Sequence, residues 1–155
     1  MAWEVKLSTL NELVKQFDKL NKDTEKIMGE MTKAGAEVVA ENMKNYAPDT
    51  INSHVKVSKV YKTPSNGKIN TKAYVSGYLP FSDPNRKFFT RKGGSGKDYS
   101  TSKGVPIDFI ANLYEYGRST APFPKKPFLR KSFKKKEIEE AMLKAQEKAS
   151  GGLLK

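Results

Sequence analysis

The chain has 155 residues, no cysteine, and 29 Lys or Arg against 17 Asp or Glu, a formal charge of +12. That length suits one compact domain with a buried core. The lack of Cys excludes disulfides, thiolate nucleophiles and cysteine metal sites, and no apolar run approaches the roughly 20 residues of a membrane span.

The start, "MAWEVKLSTLNELV", lacks the basic region and apolar block of a signal peptide, so a protein made in a cytoplasm is expected. Charge is segregated along the chain. Residues 55–136 hold 19 basic residues and four acids (Asp83, Asp98, Asp108 and Glu115), a net +15, whereas the flanks together hold 10 basic and 13 acidic residues, a net −3. A segment of that kind meets polyanions or an acidic protein, or is simply a solvated lysine-rich surface.

Residues 9–44 read as helix. Thr9 and Glu12 have capping-box spacing. Leu10, Leu13, Val14, Phe17, Leu20, Ile27, Met28, Met31, Ala34 and Val38 then keep a three-or-four-residue beat, with Asp18, Lys22, Glu25, Lys33 and Glu37 on the other side. Pro48 stops the helix. Some 36 residues of helix would span about 54 Å, longer than a small domain is wide. Either the helix bends near Asn21–Thr24 or Gly29, or its first half leaves the body to pack on a neighbouring subunit.

Residues 54–62, "HVKVSKVYK", alternate as a half-buried strand with a slip near Ser58. Asn66-Gly67 is a hairpin signal, and residues 69–79 form the return strand. Residues 81–104 are rich in Gly, Ser and cations. They read as a basic loop or extended hairpin with its tip at Gly93–Gly96. Residues 106–116 predict a short helix with Pro106 at its first position and Gly117 just past its end, its apolar face formed by Ile107, Ile110, Leu113 and Tyr114; a strand is the alternative, since Phe, Tyr and Ile also favour sheets. A proline elbow at 118–125 leads to a final helix over 127–148, with Phe128, Leu129, Phe133, Ile138, Met142 and Ala145 on its apolar side. Residues 150–155 form a frayed tail. The expected fold is therefore a single α+β domain over 1–155. In it, a long N-terminal helix and a C-terminal helix pack on a small, mainly antiparallel sheet, and the basic excursion extends from the sheet.

Catalytic signatures are missing. His54 is the lone histidine and sits at a strand start. No His/Asp/Glu cluster has metal-ligand spacing, and no G-x-S-x-G elbow occurs. "GGSGKD" lacks the spacing of a phosphate loop and follows Lys97 with Asp98. No cofactor, no metal and no enzymatic activity are expected.

The densest stretch is "NLYEYGRSTAPFPKKPFLRKSF", residues 112–133, which sets aromatics, prolines and cations around one acid, Glu115. Tyr114-Glu115-Tyr116-Gly117 precedes a proline loop, and Pro127-Phe128-Leu129-Arg130 opens the last helix. Upstream, "AEVVAENMKNYAPDT" ends a helix on an Ala-Pro step before the first strand. This succession, over residues 34–148, resembles the head–tail joining, tail-completion and tail-terminator proteins of tailed bacteriophages. The chain departs from that pattern in having Arg118 after Gly117, where the family has Thr, and in its long basic excursion.

The resemblance implies a small α+β subunit that assembles with itself as a ring, commonly hexameric, at the head-proximal end of the tail. Such a ring completes the tail and docks it to the filled head. The implied partners are the connector or head-completion protein and the tail-tube protein, with DNA passing through the bore, and the implied location is the virion, after assembly in a host bacterial cytoplasm. On this reading Glu115, Tyr116, Arg118, Phe123, Pro124 and Arg130 are candidate interface residues. The prolines fix backbone angles and Phe123 offers apolar area to a partner. Phe128 and Phe133 are expected in the core, and Glu115 is expected to pair with Arg118 or Arg130. Arg86, Lys87, Arg91, Lys92 and Lys97 form a candidate basic contact loop, meeting either DNA phosphates or an acidic face of a neighbouring protein. The rival reading is a non-specific nucleic-acid-binding protein that uses residues 55–136, with Phe88, Phe89 and Tyr99 stacking on bases.

Overall fold

A computed structural model of the chain describes residues 7–90, 99–118 and 125–151. The protein is α+β. Helix α1 (Leu7–Tyr46) runs uninterrupted for 40 residues, about 60 Å at 1.5 Å per residue. It is already helical at Leu7, two residues before Thr9, so the Thr9 capping box does not open it. Its N-terminal turns leave the body, which is the first part of the second expectation. Val14, Phe17 and Leu20 are 57%, 57% and 53% exposed, so the turns that carry them are not covered by the body.

Within the body, α1 buries a different face from the one its large apolar residues suggest. Ala36, Ala40 and Met43 enter the core, and Gly29 and Gly35 are buried too. Small residues let neighbours approach closely. A Cβ added at Gly35 would lie 3.1 Å from Met142 Cγ, and one at Gly29 would lie 3.3 Å from Val60. Met28, counted in the apolar stripe, is 46% exposed.

Pro48 ends α1 as expected and opens the one-turn helix α2 (Asp49–Asn52), which drives Ile51 to full burial. The first strand is broken into β1 (Val55–Val57) and β2 (Tyr61–Lys62), with the interruption starting at Ser58. The return strand is β3 (Ile69–Asn70), β4 (Ala73–Val75) and β5 (Tyr78–Leu79). β1 pairs antiparallel with β4 and β2 with β3 around the Asn66-Gly67 turn. β5 leaves this hairpin and pairs instead with β8 (Val105–Pro106). The exchange depends on Gly104, whose φ is +130°. A Cβ there would sit 2.0 Å from the Leu79 carbonyl oxygen, so only glycine lets the two backbones cross.

In the 81–104 excursion, β6 (Phe88–Thr90) and β7 (Tyr99–Thr101) form an antiparallel hairpin. Its tip lies outside the described residues. Helix α3 (Ile107–Tyr116) follows. Pro106 caps it rather than occupying its first turn, and Gly117, at φ 81°, closes its end through a bond from its N–H to the Leu113 carbonyl. The buried ridge of α3 is Ile107, Ala111 and Glu115, four residues apart, with the acid on the inner face.

The final helix is not continuous. It divides into α4 (Leu129–Ser132) and α5 (Lys135–Ser150), with Phe133 at a non-helical ψ of 81°. Phe128 is fully buried, as expected of a core residue, but Phe133 is 66% exposed. The break rotates Phe133 out of the helical register that would have carried it inward. Asn42, buried on α1, fixes the break: its side-chain N–H donates to the Ser132 carbonyl at 3.3 Å and to Glu137 Oε2 at 2.9 Å. Ala40, Met43, Ile51, Val55, Ile107, Ala111 and Phe128 make one core where α1, the first hairpin, α3 and α4 meet. α5 packs antiparallel along α1. It extends through Ser150, so residue 150 belongs to the helix and not to a tail.

Candidate functional site

The elbow is built around Glu115. Its side chain, at the end of α3, is fully buried. Oε2 accepts the backbone N–H groups of Phe128 and Leu129, each at 2.9 Å. Oε1 accepts Arg130 Nε at 2.7 Å and, at 3.4 Å, the Arg130 backbone N–H. The carboxylate thus takes up the unpaired donors that open α4, and α3 is tied to the start of the last helical segment across 13 to 15 residues. Burial pushes this carboxyl group up. The Arg130 guanidinium and the N–H groups of Leu129, Arg130 and Phe128 outweigh it and hold Glu115 below the usual carboxylate range. Of the two partners expected for Glu115, the structure selects Arg130.

Arg130 itself faces outward, with 62% of its side chain exposed. A second contact runs from its Nη2 to the Glu115 carbonyl at 3.3 Å, and its guanidinium lies 5.7 Å from the ring centre of Tyr116. Tyr116 is 68% exposed. The elbow therefore presents a flat pair, Tyr116 with Arg130, held from beneath by a buried acid. Planar, pre-oriented groups of this kind are common anchors in protein interfaces. Arg118 is also exposed. Phe123 and Pro124 lie outside the described residues.

The basic face lies on the hairpins. Lys72 sits 5.3 Å from the Tyr61 ring centre, Arg86 5.5 Å from that of Phe81, and Lys103 5.9 Å from that of Tyr78. Each cation lies along an aromatic ring, which restrains it and leaves its charge at the surface. Arg86 follows a turn in which Asp83 Oδ1 accepts the Asn85 N–H at 2.9 Å. Arg86 and Lys87, both exposed, therefore stand at the base of the β6–β7 hairpin. Phe88 anchors that hairpin edge-on to Phe109 of α3, with ring centres 5.1 Å apart. Its neighbour Phe89 points the other way and is 68% exposed. Arg91, Lys92 and Lys97 lie outside the described residues.

His54 takes a structural position, its Nδ1 3.3 Å from the Ser76 carbonyl. Among the described residues no group of three His, Cys, Asp or Glu side chains could hold a metal ion, and no helix is long and apolar enough to cross a membrane.

Two features went unread in the sequence. The role of Asn42 left no local signal, because its partners lie 90 and 95 residues away. The exposure of Phe133 depends on the α4–α5 break that Asn42 fixes.

Residues 11–81, just under half of the chain, match the model of the HK97-gp10-like family, described as "Bacteriophage HK97-gp10, putative tail-component". The match takes in most of α1, including the exposed turns that carry Val14, Phe17 and Leu20, and the strands through β5. It stops before the β6–β7 hairpin, α3 and the Glu115 elbow. No curated protein and no solved structure matches the chain. Over residues 11–81 the chain is similar to the HK97-gp10-like phage tail components, which is consistent with the head–tail joining and tail-completion pattern drawn from its motifs.

Proposed function

We propose that this protein is a structural subunit of the phage neck or tail. In this reading it assembles as a ring at the head-proximal end of the tail, completes the tail and joins it to the DNA-filled head. One observation carries the reading: the segment that matches the tail-component family contains the part of α1 that leaves the body with its apolar stripe uncovered. A monomer gains nothing from exposing a Phe, a Leu and a Val along one helix face, whereas an assembling subunit uses such a face. The protein then acts by shape and charge rather than by catalysis, and its place is the virion.

The basic face takes the second contact. Arg86, Lys87 and Lys103 have no ion-pair partner among the described residues, and exposed Phe89 beside them adds an apolar anchor. An acidic surface on the connector or tail-tube protein fits this mixture better than DNA does. Repeated phosphate contacts around a ring would retard DNA passing through the bore.

Light scattering of the purified protein across salt concentrations, beside a duplex-binding titration, tests the reading. Self-association into a closed oligomer with weak duplex binding supports it. A monomer at every concentration that binds duplex tightly, with affinity falling steeply in salt, would favour the general nucleic-acid binder.

A further inference from the structure

We propose that the free end of α1 docks into the groove between α1, β4 and α5 of a second copy of this chain. The inference rests on the ring reading above and names the contact that would build the ring.

The arm is defined by where α5 stops. The end of α5, at Lys148 and Ala149, lies beside Lys19, Asp23 and Ile27 of α1. Towards its N-terminus α1 continues for about a dozen residues, roughly 18 Å. Val14 and Phe17, three residues apart, share one side of this arm, and Leu20 continues the same stripe at its root. The groove is a trough of about 370 Å³ whose apolar wall is Gly35, Val39, Ala73, Phe133, Ile138 and Met142, with Thr32, Asn70 and Thr71 on its polar side. Phe133 stands on its lip, 66% exposed.

The arm cannot reach the groove of its own chain. Phe17 and Gly35 lie on one uninterrupted helix, about 27 Å apart along its axis. An arm seated in the groove therefore comes from another molecule, and charge favours a second copy. Residues 7–30 carry five acids and four lysines, a net −1, whereas residues 31–155 carry 24 basic and 11 acidic residues, a net +13. Body against body sets +13 against +13, and only the arm can approach a body without that repulsion. Lys131 and Lys136 lie near Phe133 in the sequence and have no ion-pair partner among the described residues, while Phe17 stands beside Asp18, between Lys15 and Lys19. Arm and groove are different patches, so the contact is head-to-tail and repeats until it closes. Arms pairing with one another would be two-fold and would stop at a dimer.

The absence of native cysteine makes the test clean. Phe17→Cys and Phe133→Cys are placed in separate full-length chains, mixed, oxidised and run without reductant, at a concentration where light scattering reports the size of the assembly. A cross-linked pair in the mixture, and none from either variant alone, is the expected result. A dimer from Phe17→Cys alone would show arm pairing with arm and overturn the proposal. Oligomers without any cross-link would overturn it while leaving the ring reading intact. A monomer without any cross-link, in a protein also missing from purified particles, would remove both. As a check independent of cross-linking, Phe17→Asp should lose self-association with an unchanged circular dichroism spectrum, because Phe17 is 57% exposed and outside the core.

Discussion

Replacing Glu115 by Gln keeps the size of the side chain and removes its charge, and the geometry sets the cost. The carboxylate offers two acceptor oxygens, one to the Phe128 and Leu129 N–H groups and one to Arg130 Nε and its backbone N–H. Glutamine offers one acceptor, and its amide N–H₂ must turn towards the other set, placing donor against donor. The Phe128 N–H is buried and has no water to turn to, whereas the outward-facing Arg130 can rehydrate. Hydrogen bonds to charged groups contribute about 1.5–3 kcal/mol each, and leaving a buried donor unpaired costs about 1–3 kcal/mol. With one side of the carboxylate lost, the expected destabilisation is about 3 kcal/mol. For a domain of this size each kcal/mol lowers the melting temperature by about 2–4 °C, so Glu115→Gln should melt about 10 °C below the wild type in a circular dichroism scan at neutral pH. A melting point within about 1 °C of the wild type would mean that the carboxylate does not hold α4 to α3, and the account of the elbow would be wrong.

The pH dependence of that difference follows from the sign of the shift. Glu115 titrates below its unfolded value, so its contribution is complete above the ordinary carboxylate pKa and is lost as pH falls through the folded one. Glu137, held down by Asn42 and then by Lys134, acts in the same direction. The gap between wild type and Glu115→Gln, followed by thermal melts from neutral to acid pH, should close on the acid side and stay constant above it. Phe128→Ala should cost about 3–5 kcal/mol in a urea titration, as for other fully buried aromatics. Phe133→Ala should cost no more than about 0.5 kcal/mol, and equal losses at the two positions would contradict the α4–α5 break. Gly104→Ala meets the Leu79 carbonyl at a φ that alanine avoids. It should destabilise by more than about 2 kcal/mol, read from the same titration, and a neutral result would mean that β8 does not cross β5 there.

Much of the fold was legible because its signals are local. Asn66-Gly67 marks a hairpin, Pro106 and Gly117 bracket α3, and Pro48 ends α1, each through backbone angles set by one or two residues. The failures share a different origin. In "PFLRKSFKKKE" no Gly or Pro announces that the helix stops at Ser132. At the stop the Ser132 carbonyl accepts Asn42, 90 residues earlier, and the Lys134 N–H. Glu115 reads as an interface acid paired with Arg118 or Arg130, but its full burial left no local signal because its backbone partners lie 13 to 15 residues downstream. The burial of α1 was misread for a third reason. A beat of large apolar residues looks the same whether the face packs within the chain or against another, and here the inner face is lined by Gly29, Gly35, Ala36 and Ala40. Of the candidate site, the Glu115–Arg130 pair and the exposed cations at Arg86 and Lys87 were readable. The stacking of Arg130 beside Tyr116 required the fold.

The central claim, that the protein is a built-in part of the virion, is tested most directly by electron microscopy of purified phage particles in which this chain carries a label. The account expects the label in a ring of copies where the tail meets the head. Particles that join heads to tails normally and contain no copy of the chain would contradict it.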